Sequence, residues 1–129
     1  MKKIITSIAA LTITLSSAVA LAGPEELVTH NDTDLVANVL IDERFLSVPS
    51  TPHKTSAIHW YMVRSACYRP SQHDICPATI LMDYNTPHPI VLGDIKMNLN
   101  TGEIIPAHLS NNGYTMTVNG PGEFTLTKD

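Results

Sequence analysis

NNGYTMTVNGPGEFTLTKD, residues 111–129, decides the fold. Tyr114, Met116 and Val118 alternate with Thr115 and Thr117, and Phe124 and Leu126 alternate with Thr125 and Thr127. A period of two places the apolar set on one face of a strand and the threonines on the other. Asn119-Gly120-Pro121-Gly122 lies between the two runs and has the composition of a reversal, so the segment reads as a hairpin. Asn111-Asn112-Gly113 marks a further turn ahead of it.

The same grammar extends backwards. Met97 and Leu99 share one face and Lys96 and Asn98 the other, and Asn100-Thr101-Gly102 then turns the chain into Glu103-Ile104-Ile105. Gly102 suits a left-handed turn position, and Pro106 ends that strand or confines it to an edge. Residues 26–29 and 35–41 read as two strands joined by Asn31-Asp32-Thr33-Asp34. Residues 42–56 are irregular, either a crossing between two sheets or a weak edge strand, and residues 56–67 form the longest strand candidate. Nine prolines and six glycines punctuate the chain at intervals suited to short strands, and no 3.6-residue apolar period stands out after residue 23. The expected fold is all-β: a small antiparallel β-sandwich, with a small barrel as the alternative.

The N-terminus has a different composition. Met1-Lys2-Lys3 is followed by an uncharged stretch to Ala22, ending in Ala20-Leu21-Ala22. A basic start, an apolar middle and an A-x-A end make a secretory signal peptide of residues 1–22, with Gly23 as the mature N-terminus. An uncleaved anchor is the weaker reading, because six Ser or Thr dilute the apolar run. Removing 22 residues from 129 leaves 107, one domain's worth, and losing Lys2 and Lys3 takes the formal charge from −4 to −6. That excess of acid argues against nucleic acid and, after cleavage, against a membrane surface as partners. The compartment expected is periplasmic or extracellular.

In an exported chain the two cysteines, Cys67 and Cys76, are expected to form one disulfide. Closing so short a ring restricts the unfolded chain by about 2.5–3 kcal/mol in the chain-entropy model. If the two lie opposite each other in a hairpin, Ser65 pairs with Ala78, Val63 with Ile80 and Tyr61 with Met82. Asn31–Thr33 after a short strand, the Cys67 to Cys76 segment, the Thr101-Gly102 turn and the Gly113–Thr115 closing strand together resemble small exported β-sandwich proteins of intracellular Gram-negative bacteria. The resemblance implies fold and export and brings no activity with it.

Chemistry is sparse. No G-x-S-x-G, phosphate loop or H-E-x-x-H occurs, so no catalytic residue is assigned and an enzyme is not expected. His30, His53, His59, His73, His88 and His108 form no H-x-H or H-x-x-x-H pair, so neither a metal site nor a cofactor is assigned from spacing. Thr-Pro-His occurs at 51–53 and 86–88, most simply as turn chemistry. Trp60, Tyr61 and Arg64 could form a cationic and aromatic patch, but Trp60 suits a core anchor with Arg64 reaching the rim. The best functional candidate is the ring-closed loop of residues 68–75, with Tyr68, Arg69 and His73 as partner-binding residues. A disulfide at its base removes ordering entropy, and Tyr and Arg are hot-spot types. Two functions follow as expectations: a protein-binding or inhibitor-like module, or a metal or small-ligand carrier using surface histidines.

Overall fold

The computed structural model describes residues 23–67 and 74–129. The expected signal peptide and loop residues 68–73 lie outside the described residues. Two five-stranded sheets face each other, which makes the domain an all-β sandwich. In chain order the elements are β1 (Glu26–Asp32), β2 (Ala37–Ile41), β3 (Phe45–Leu46), β4 (Lys54–His59), α1 (Trp60–Ala66), β5 (Ile75–Met82), β6 (Ile90–Asn98), β7 (Ile104–Ile105), β8 (His108–Asn111), β9 (Tyr114–Gly120) and β10 (Glu123–Lys128). One sheet runs β4-β1-β10-β9-β8 and the other β3-β2-β5-β6-β7. Neighbours pair antiparallel except β1 with β10, which run parallel.

Period-two alternation builds the core as the C-terminal segment leads one to expect. Met116, Phe124, Leu126 and Leu27 are buried from the first sheet, against Val39, Ile41, Ile80, Met82, Ile95 and Met97 from the second. Burying each such side chain contributes about 1.5–3 kcal/mol relative to leaving it in water. The β8–β9 turn has Asn112 at φ 53° and Gly113 at φ 87°, the paired left-handed positions of a two-residue hairpin loop. Met97 faces Ile104 across the β6–β7 turn, where Gly102 has φ 81°, and β7 lies at the sheet edge with Pro106 just after it.

Residues 42–56 turn out to hold both alternatives: a two-residue edge strand, β3, and the crossing from one sheet to the other. The buried Asn31 side chain ties this region together. Its Nδ2 donates to the Leu35 and Ser50 carbonyls, at 2.8 and 2.9 Å, while its Oδ1 accepts from the Thr33 amide and hydroxyl. At the N-terminal corner Pro24 sits over two glycines. A Cβ on Gly102 would meet its Cγ at 2.5 Å, and one on Gly122 would meet its Cβ at 3.1 Å.

The expected hairpin of 56–67 against 76–82 is not formed. Residues 54–59 are strand β4, but Trp60–Ala66 is a helix, and β5 instead pairs with β2 on one side and β6 on the other. Val63, Tyr61 and Ser65 therefore have no strand partners among Ile80, Met82 and Ala78. The helix wins because Trp60, Val63 and Cys67 stand three and four residues apart and all three are buried together. A strand would have sent Trp60 and Val63 to opposite faces.

Candidate functional site

The disulfide is formed as expected, Cys67 to Cys76, with Cα atoms 5.9 Å apart, and it joins the C-terminal end of α1 to the start of β5. Of the loop it closes, Tyr68, Arg69 and His73 lie outside the described residues. Its stem is well anchored. The Asp74 carbonyl accepts from the Leu99 amide at 2.9 Å, and its carboxylate accepts from Asn100 Nδ2 at 2.9 Å. Trp60 Nε1 and an Arg64 guanidinium nitrogen both donate to the Leu99 carbonyl, at 2.8 and 2.6 Å. Trp60 is thus the expected core anchor, carried by a helix rather than a strand, and Arg64 spans the rim.

The same helix makes a second feature that the sequence reading did not find. With Trp60 and Val63 turned inward, Tyr61 and Met62 are turned out, 62% and 47% exposed. Met62 and Ala66 form one wall of a groove whose other walls are Ile41, Leu46, Val48 and Ile58, about 360 Å³ in volume. Leu46 and Val48 are 51% and 53% exposed. Ser47 and Ser65 are its polar members, and among the described residues no charged side chain lines it. The groove lies where β3 and β4, edge strands of opposite sheets, leave the sandwich open. Its helix wall ends at Ala66, next to the cysteine from which the disulfide-closed loop departs. Apolar side chains gathered in an open groove bind other apolar side chains, and Met accommodates varied shapes. The available signal was the spacing of Trp60, Val63 and Cys67.

The histidines among the described residues are dispersed. His30 Nδ1 is 2.8 Å from Thr55 Oγ1 and its Nε2 is 2.6 Å from Glu123 Oε2, a chain of contacts across β4, β1 and β10. His53 Nε2 is 2.7 Å from Asp34 Oδ1. The imidazole beside it, by hydrogen bond first and by charge second, holds the Asp34 carboxyl below the usual carboxylate range. His59 stacks on Tyr61, ring centroids 5.4 Å apart. Among the described residues no three His, Cys, Asp or Glu side chains are grouped so as to hold a metal ion. The two Thr-Pro-His tripeptides keep separate partners: His53 meets Asp34, and the Thr86 hydroxyl donates to the Asp83 carbonyl at 2.9 Å. Among the described residues no helix is long and apolar enough to cross a membrane.

A family model described as the type II secretion system substrate NttC matches residues 1–129. The chain belongs to the NttC family. It is similar to the crystal structure of the Legionella pneumophila type II secretion system substrate NttC, with 42% identity and a TM-score of 0.78. That match covers 83% of this chain and 100% of the Legionella chain. Comparison with curated proteins gives no match. Membership in NttC implies export and secretion, and it agrees with the resemblance to small exported proteins of intracellular Gram-negative bacteria. The family description adds no activity, so the groove and the stem of the loop remain the features from which function is argued.

Proposed function

We propose that residues 23–129 form the mature protein, which passes through the periplasm, is secreted, and acts as a protein-binding module. The observation that carries this reading is the open groove of Ile41, Leu46, Val48, Ile58, Met62 and Ala66. A secreted domain gains nothing in its own stability from leaving Leu46, Val48 and Met62 about half exposed, and such residues belong to the cores of protein interfaces. The solved Legionella relative spans 83% of this chain, a share about the size of residues 23–129. The loop bearing Tyr68, Arg69 and His73 is the second element of the proposed surface, because it leaves the disulfide at the end of the groove's helix wall. The formal charge of −6 after loss of Lys2 and Lys3 favours a partner with basic residues around an apolar centre.

A photo-crosslinking residue placed at Met62 should capture one specific protein, and the same residue at Thr117, on β9 three strands away from β4, should not. The captured protein, once purified, should bind the wild-type domain and lose binding to Val48→Asp and Met62→Glu. Tyr68→Ala with Arg69→Ala tests the loop separately. Binding by a purified partner that is indifferent to both groove substitutions would refute the groove as its site.

A further inference from the structure

The edge strands of the sandwich are unequal. β3 and β7 have two residues each, and β8 has four. Pro106 follows β7, and the left-handed pair Asp42 and Glu43 precedes β3. Proline, short length and backbone kinks are the devices that keep sheet edges from recruiting foreign strands. β4 has six residues and contains neither proline nor glycine. Its one charged guard is Lys54, at its first position. It also borders the groove, to which it contributes Ile58.

The hydrogen-bond register shows which groups this edge offers. Trp60 N–H donates to the Glu25 carbonyl at 2.8 Å, which makes Glu25 and Trp60 a hydrogen-bonded pair of the β1–β4 ladder. Bonded and non-bonded pairs alternate along an antiparallel ladder. Leu27 with Ile58, Thr29 with Ser56 and Asn31 with Lys54 are therefore the bonded pairs, and Glu26 with His59, Val28 with Ala57 and His30 with Thr55 are not. An independent contact agrees: Val28 N–H donates to the Gly122 carbonyl at 2.7 Å, on the side away from β4. So Thr55 and Ala57 direct both backbone groups, and His59 its N–H, away from the sheet. Among the described residues β4 pairs with β1 alone, so no strand occupies the outward groups of Thr55 and Ala57, whereas the His59 carbonyl caps the first turn of α1. The side chains divide the other way. Thr55 lies on the outer face with His30, whereas Ile58 turns to the groove.

We propose that β4 is the edge to which the partner adds a strand, an extended segment with apolar residues at every second position and basic ones between them. This rests on the protein-binding reading above and specifies the partner's form. The segment's backbone pairs with Thr55 and Ala57. Its alternate side chains enter the groove beside Ile58 and Met62, and the intervening ones lie along the outer face of an acidic domain. Backbone pairing supplies affinity in this mode and the alternate pockets supply selectivity. Basic rather than acidic intervening residues follow from the formal charge of −6 on residues 23–129.

Ala57→Pro is the discriminating variant. It removes an N–H that points to the open side and leaves the β1 ladder bonds in place, the edge position where a strand tolerates proline. A fluorescent synthetic peptide of alternating valine and lysine should bind the wild-type domain, read by anisotropy. Its affinity should fall at least about tenfold with Ala57→Pro. The same peptide, N-methylated at alternate residues, should bind as weakly, which keeps the test valid if Ala57→Pro folds poorly. Unchanged affinity on N-methylation, or failure to bind the wild type, overturns strand addition. Loss of binding on Met62→Glu alone, with Ala57→Pro and N-methylation harmless, also overturns it while leaving the groove reading intact. A dimer in sedimentation that Ala57→Pro dissolves would assign the edge to a second copy and overturn the proposal.

Discussion

At the β7–β8 flank, Leu109 of β8 lies against Gly93 of β6, where an added Cβ would come within 2.6 Å of Leu109 Cδ2. Asn112 Nδ2 crosses between the sheets to the Val91 carbonyl at 2.9 Å. At the β3–β4 flank the corresponding space is the groove, walled by Leu46, Val48, Ile58 and Met62. Both flanks join the same two sheets, so sandwich geometry alone does not explain the difference. At one, the bare Gly93 lets a leucine close the gap between β6 and β8, while an open pocket of about 530 Å³ remains further along, among Ile104, Ala107 and Val118. The other has apolar side chains at its rim and a short helix standing beside them. Closure of a sandwich is thus a local decision made by single residues, and the proposed binding surface lies on the β3–β4 flank, where the groove stays open.

The largest expected effect comes from loosening the open flank at its anchor. Cys67→Ser or Cys76→Ser releases α1 from β5 and should cost about 2–4 kcal/mol in denaturant unfolding. Gly93→Ala attacks the closed flank. It combines a clash with Leu109 and a φ of 154° that suits glycine, so a loss of about 1–3 kcal/mol is expected. Adding Leu109→Ala should relieve the clash but not the backbone strain, a partial non-additivity that a double-mutant cycle reads. Substitutions inside the groove sharpen the contrast from the other side. Val48→Asp and Met62→Glu should leave stability within about 0.5 kcal/mol, since both side chains are already half in water. If either unfolds the domain, the groove belongs to the core.

The smallest effect concerns Asp34, which is fully exposed beside His53. Its carboxyl is held low in the folded state, so the unfolded chain takes up the proton first as pH falls. The stabilisation is fully present above the ordinary carboxylate value and is lost as the pH drops through the lowered folded one. Asp34→Asn should therefore lower stability slightly at neutral pH and flatten the acid limb, so that variant and wild type converge as the pH falls below about 4. An acid limb identical to wild type would show that the contact with His53 contributes nothing.

The C-terminal hairpins were legible because their alternation, their turn residues and their burial all agree. Asn112-Gly113 could make one kind of turn, and Met116, Phe124 and Leu126 could face only one way. Trp60–Ala66 was misread because Trp, Tyr, Met and Val serve strands as readily as helices, and seven residues are too few for a clear period. The helix has no side-chain N-cap to announce it either. The disulfide added to the error. It fixes a distance between Cys67 and Cys76, which a hairpin satisfies and a helix end satisfies equally. The groove was invisible for a related reason: Ile41, Leu46, Ile58 and Met62 come from four elements, and only the crossing of residues 42–56 brings them together. Tyr68, Arg69 and His73 remain a proposal drawn from sequence.

Pro24, seated over Gly102 and Gly122, also bears on the order of events in the life of the chain. If, as proposed, a peptidase cuts ahead of Gly23, it needs the flanking residues extended and accessible. Their seat is built from turns that are among the last parts of the protein to be synthesised. On that proposal, cleavage and seating compete for the same two residues, and the cut comes first. The N-terminal corner would then be a clasp fastened at the end of the proposed maturation.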